Sequence, residues 1–209
     1  KVFVVIFNIL FYFIKTCYYI HMFTIKKKYY LFVENNIDLN FNLIKIRNKF
    51  NIVYRNKKNS EKIRDLQIFR NNCKKKGINL FIANNTKLLS FLKADGLYIS
   101  ASNKNLLLNT FEKAGYKIIG SAHNLKEVNL KIQQGCKTII YSRLFETNYD
   151  YKKGYLGVIK FNIISQRLKM DLVPLGGISA DNLGKINFVS CSSFACLSAI
   201  KKKPAKIIN

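Results

Sequence analysis

Acidic side chains are scarce in this chain: 11 Asp and Glu stand against 36 Lys and Arg over 209 residues, a formal net charge of +25. A charge of that sign ordinarily points to a polyanionic partner. Here the lysines are scattered along the chain rather than gathered into one stripe, and Lys, Asn, Ile, Phe and Tyr are abundant together, as AT-rich coding produces. Nucleic acid is therefore not the expected partner, and a phosphorylated small molecule would use the same positive field. Glycine is absent before Gly77, so tight turns and close backbone approaches to a ligand belong to the later part of the chain. The five cysteines are odd in number and show no C-x-x-C spacing, and only His21 and His123 accompany them. That set excludes a zinc cluster and a disulfide framework, and it fits reduced thiols in a cytoplasmic protein.

The chain does not open on Met. Val2–Ile14 is apolar apart from Asn8, Lys15 interrupts, and a second apolar run reaches Phe23. The first run is too short to span a bilayer and the extended one is marginal. Met22 opens "MFTIKKKYYLFVE", which reads as a true start behind an upstream extension, and the competing reading is an anchor that touches membrane through residues 2–23. Residues 1–22 are accordingly set apart as an apolar N-terminal extension, 23–203 as the folded domain and 204–209 as a tail.

What is present is a regular alternation. Apolar runs at Tyr29–Val33, Asn51–Arg55, Asn79–Ala83, Gly96–Ile99, Lys117–Gly120, Thr138–Tyr141, Leu172–Leu175 and Ser193–Leu197 predict eight strands. Between them helices are predicted at Leu39–Lys49, Ser60–Lys76, Thr86–Leu92, Asn103–Ala114, Leu125–Gln134, Val158–Lys169 and Ala180–Lys185, several closed by Gly. Eight βα units imply parallel strands with right-handed crossovers, and hence one compact (β/α)8 TIM barrel with an apolar N-terminal extension. The alternative, an open doubly wound sheet, lacks its G-x-G-x-x-G after the first strand.

In a barrel the chemistry sits at the C-terminal strand ends. Those ends carry Arg55 and Lys57, Asn84, Ser100–Asn103, Ser121 and His123, Thr147, Gly176 and Gly177, and Ser198. Gly176–Gly177 lets backbone N–H groups approach an anion, and "LSAI" after the last strand adds amides of a helix start. Arg55 and Lys57, two apart, can face one mouth. His123, with no carboxylate beside it, reads equally as an acid–base residue or a hydrogen bonder at a helix start.

The ordered series "YYLFV", "IVYRNK", "LFIANN", "ADGLYIS", "IIGSAHNLKEV", "SRLFET", "PLGGISADNL" and "FACLSAI" resembles the thiamine phosphate synthase/TenI family from Tyr29 to Ile200. The resemblance implies a barrel that couples hydroxymethylpyrimidine diphosphate to a thiazole phosphate, releases pyrophosphate and uses Mg²⁺. Carried over by position, Arg55, Lys57, Ser121 and His123 fall on catalytic positions. Asn84, Thr147, Gly176, Gly177, Leu197 and Ser198 fall on substrate-binding ones. The family's Q-x-R-E-K strand end reads Val53-Tyr54-Arg55-Asn56-Lys57, so its Gln is missing. Both metal-binding Asp positions become amides, Asn84 and Asn103. Mg²⁺ normally takes at least one protein carboxylate, so the departures concentrate on the metal site. Three readings stay open: a divergent synthase, a TenI-like tautomerase or non-catalytic thiazole or thiamine phosphate binder, and a basic binding protein that only keeps the barrel.

Overall fold

The computed structural model describes residues 28–56, 61–147, 154–168, 170–179 and 181–196. The N-terminal apolar stretch, Lys57, Leu197, Ser198 and the tail lie outside the described residues. Eight strands close on themselves in sequence order, all parallel, with β1 bonded to both β2 and β8. They are β1 Lys28–Val33, β2 Phe50–Tyr54, β3 Asn79–Ala83, β4 Gly96–Ile99, β5 Lys117–Ala122, β6 Thr138–Ser142, β7 Asp171–Leu175 and β8 Ser193–Cys196. The predicted barrel is the observed one.

Strand period decides which side chain goes where. Tyr30, Phe32, Val53, Phe81, Tyr98, Ile119, Ile140, Val173 and Ala195 point inward and form one buried cluster that fills the barrel. Their alternates, among them Leu31, Ile52, Leu80, Leu97, Ile139 and Leu172, point outward into a second cluster beneath the helices. Both faces being buried explains why the strands read as near-continuous apolar runs. The N-terminal floor is polar instead: Asn79 donates to Asn51 at 2.8 Å, and Asp171 accepts from Ser192 at 2.8 Å.

The helices are α1 Ile63–Lys75, α2 Thr86–Phe91, α3 Thr110–Lys113, α4 Leu125–Gln133 and α5 Gly157–Leu168. In α1 the buried positions Leu66, Phe69, Arg70 and Cys73 make one helical stripe, and Lys74 and Lys75 close its last turn. Cys73 and Cys136 are free and buried, and burial pushes each thiol up to about 12. No helix among the described residues is long and apolar enough to cross a membrane.

Three predicted helices form differently, for one reason. In place of Leu39–Lys49 there is a single 3-10 turn, Phe41–Leu43, and another precedes it at Asn36–Asp38. Asp38 takes the N–H groups of Glu34 and Asn35, and Asn40 takes that of Asn42. Over Asn103–Ala114 regular structure starts only at Leu106, with a 3-10 turn before α3. Asn103 and Asn105 each accept the N–H two residues on. Past β7, a 3-10 segment at Leu183–Phe188 replaces the predicted Ala180–Lys185, and Asn182 ties the turn before it. Short Asn and Asp side chains compete with the helix for backbone groups and win near segment starts.

Candidate active site

At the C-terminal mouth the β4 and β5 side chains meet first. Tyr98 donates its hydroxyl hydrogen to Ser121 Oγ at 2.8 Å, a buried pair across adjacent strands. Burial pushes the Tyr98 phenol up, while the Ser121 hydrogen bond and the positive charge of Arg55 pull the other way. The backbone N–H of Arg55 extends the β1–β2 ladder to Val33 O at 2.8 Å. Arg55 is half-buried, one residue past β2.

Beside this pair lies a compact polar network. Asn84, held at φ +54°, accepts through Oδ1 from Ser100 N–H at 3.1 Å and from Asn103 Nδ2 at 3.1 Å. Its own amide donates to Ser100 Oγ at 2.9 Å. Asn103 Oδ1 in turn accepts from Asn105 N–H at 3.0 Å. The structure therefore brings together the two positions expected from β3 and β4, with Ser100 from the same strand end.

His123 follows β5 and is half exposed. Its backbone N–H donates to Glu127 Oε2 at 2.8 Å, and Nδ1 lies 3.1 Å from the same oxygen. Burial alone would raise the Glu127 carboxyl, but the His123 N–H, the His123 ring and the Asn124 amide together hold it below the ordinary carboxylate range. Asn124 caps α4 by accepting the Glu127 N–H at 2.9 Å. The histidine expected to lack a carboxylate has one, a helical turn away.

On the opposite wall, the loops after β6 and β7 pack face to face. Gly176 and Gly177 sit at φ +101° and +67°, and a β-carbon on Gly177 would stand 2.2 Å from Glu146 O. Both positive φ and this contact require glycine. Phe145 N–H donates to Gly176 O at 3.0 Å, which ties the two loops together. A pair of residues without side chains leaving a strand lets the backbone come close to an anion. Thr147 is held by Arg143, whose Nη1 donates to its Oγ1 at 2.5 Å and whose Nη2 donates to Gly154 O at 2.8 Å.

A family model described as thiamine monophosphate synthase matches residues 13–200. The chain belongs to the thiamine monophosphate synthase/TenI family. It is 30% identical to a thiamine-phosphate synthase of Prochlorococcus marinus over 58% of this chain and 36% of that protein. With a thiamine-phosphate synthase of Clostridioides difficile it shares 24% identity over 84% of this chain and 81% of the relative. The chain spans between 36% and 61% of the length of several curated thiamine-phosphate synthases it matches. Thiamine phosphate pyrophosphorylase from Pyrococcus furiosus superposes with a TM-score of 0.66 at 15% identity, over 87% of this chain and 93% of that one, a likeness of fold.

Within this family member the positions expected to hold a metal do not suit one. Asn84 and Asn103 offer neutral amide oxygens, and each of those oxygens already accepts a hydrogen bond inside the loop network. Among the described residues no group of three His, Cys, Asp or Glu could hold an ion. A hard divalent cation would have to displace these bonds and gain no carboxylate in return. Tyr98, Glu127 and Arg143 are not among the site residues that the sequence points to. Tyr98 could have been found from its spacing of two from Ser100, and Glu127 from its spacing of four from His123.

Proposed function

We propose that the chain is a thiamine phosphate synthase-like transferase that couples hydroxymethylpyrimidine diphosphate to a thiazole phosphate. The observation that carries this reading is the convergence, at one mouth of a family barrel, of Arg55, the Asn84–Ser100–Asn103 network and the glycine turn at Gly176–Gly177. The first two suit a diphosphate and the last a second, monophosphorylated substrate on the facing wall.

In the reaction the carbon–oxygen bond between the pyrimidine methylene and the diphosphate breaks, and pyrophosphate leaves with the electron pair. The thiazole nitrogen lone pair then forms the carbon–nitrogen bond, and no proton has to move. What the site must supply is neutralisation of the leaving group. Arg55 provides a guanidinium fork for its oxygens, and the loop amides and hydroxyls of Asn84, Ser100 and Asn103 provide hydrogen bonds. Lys57 is proposed to add a point charge beside Arg55, and Leu197 and Ser198 to extend the monophosphate cradle. These three lie outside the described residues. Because Asn84 and Asn103 do not fit Mg²⁺, no protein-held metal enters this account, and Mg²⁺ is proposed to arrive only on the diphosphate itself.

A second reading rests on the His123–Glu127 pair. With Nδ1 engaged by Glu127, Nε2 is the ring atom left to move a proton, as a TenI-like thiazole tautomerase would need. One set of incubations separates the two. The full chain should release pyrophosphate only when both precursors are present. Release from the diphosphate alone, or no release accompanied by aromatisation of a thiazole phosphate tautomer, would reject the synthase reading.

A further inference from the structure

Besides Glu127, α4 and the residue that caps its C-terminus carry two buried polar side chains that the chemistry above does not use. Lys131 and the adjoining Gln134 are both 0% exposed. The Lys131 stem crosses β5 at Gly120, where a β-carbon would come within 2.9 Å of its Cδ and 3.0 Å of its Cγ, so the strand leaves space for it. Its ammonium donates to the backbone oxygen of Asn103 at 2.7 Å and to Gln134 Oε1 at 2.8 Å. The Gln134 amide donates to the same Asn103 oxygen at 3.0 Å and to Asn105 O at 2.9 Å.

Three of these four bonds end on one short segment, the loop after β4, and the fourth joins the two side chains to each other. The other side of that loop presents Ser100 and Asn103 to Asn84. The acceptors of Lys131 are a carbonyl and a neutral amide, not a carboxylate, and burying an ammonium on such partners is costly. A methionine of similar volume would fill the space at lower cost. The lysine therefore makes poor sense as core packing and good sense as a strut.

We propose that Lys131 and Gln134 are positioning residues, which act from behind the barrel wall to lock the Ser100–Asn105 loop so that Ser100 and Asn103 meet the leaving diphosphate in a fixed geometry. This rests on the synthase reading, because it takes the loop to be part of the diphosphate site. The proposed thiazole phosphate cradle at Gly176–Gly177 lies across the mouth, and among the described residues no hydrogen bond joins it to this strut.

The test uses the full chain with Lys131→Met and, separately, Gln134→Leu, so that a folding failure of one leaves the other. Hydrogen exchange at residues 100–105 should speed up about 10-fold and inorganic pyrophosphate should bind about 10-fold more weakly, while KM for the thiazole phosphate stays within about twofold. Exchange in β6 and β7 should not change. Unaltered loop exchange would overturn the proposal, as would a loosened loop with unaltered pyrophosphate affinity, and both results leave the synthase reading standing. Loss of both substrates in parallel would mark Lys131 as merely structural and overturn it equally. Failure of the unsubstituted chain to bind pyrophosphate would instead overturn the reading beneath it, and the proposal with it.

Discussion

Replacing Asp95 with alanine removes the acceptor that joins α1, β3 and β4. Its carboxylate takes Arg70 Nη1 at 2.7 Å, Arg70 Nη2 at 2.9 Å and the Leu80 N–H at 2.7 Å. The Arg70 side chain is 7% exposed and that of Asp95 29%. Without Asp95 the guanidinium keeps, among the described residues, only the carbonyl of Lys93, and its buried Nε has no partner among them. Breaking a buried pair from one side costs about 3–5 kcal/mol, and the partial exposure of Asp95 favours the low end, about 3 kcal/mol. For a chain of this size that lowers Tm by about 6–12 °C. Thermal unfolding followed by circular dichroism measures it. Adding Arg70→Met should recover part of the loss, since the orphaned charge is then gone. Asp95 precedes β4 and sits at the floor of the barrel, so turnover per folded molecule at low temperature should hold. A Tm within about 2 °C of the unsubstituted protein would refute this reasoning.

Arg55→Met should lower kcat/KM by about 10²–10³-fold in the coupling assay, the usual cost of deleting one charge-stabilising group, and an effect under about threefold would remove Arg55 from the diphosphate site. Asn103→Asp places a carboxylate beside Asn84 and should shift half-maximal Mg²⁺ stimulation to lower concentration; an unchanged metal titration would show that the site cannot be restored by charge alone. Glu127 is held below its ordinary range, so its share of stability is present above the unfolded value and is lost as pH falls through the folded one. A Tm–pH series should accordingly show Glu127→Gln less stable near neutrality, with the gap closing under acid conditions, and a gap independent of pH would contradict the pairing with His123.

The strands were legible because both faces of each are buried, which leaves little but apolar runs bounded by polar residues. Even β7 differs from its predicted range only by Asp171, whose carboxylate belongs to the polar floor. The segments near Asn40, Asn105 and Asn182 read as helices in the sequence because their apolar spacing is helical, while in the structure their Asn side chains capture the backbone. At the site, Arg55, Asn84, Ser121 and Gly176–Gly177 could be found because strand ends point to the mouth whatever the details. The partnerships could not. Tyr98 with Ser121, Arg143 with Thr147, and Lys131 with the Asn103 carbonyl depend on barrel register and on helix placement over the wall, and no spacing along the chain encodes which pairs those will be.

The central claim, a synthase-like coupling at this mouth, is tested most directly by mass spectrometry of a reaction containing the full chain, hydroxymethylpyrimidine diphosphate and thiazole phosphate. Thiamine phosphate and pyrophosphate should accumulate in equal amounts, and both should fall together in Arg55→Met. Absence of thiamine phosphate from a folded protein supplied with both precursors and Mg²⁺ would contradict the account.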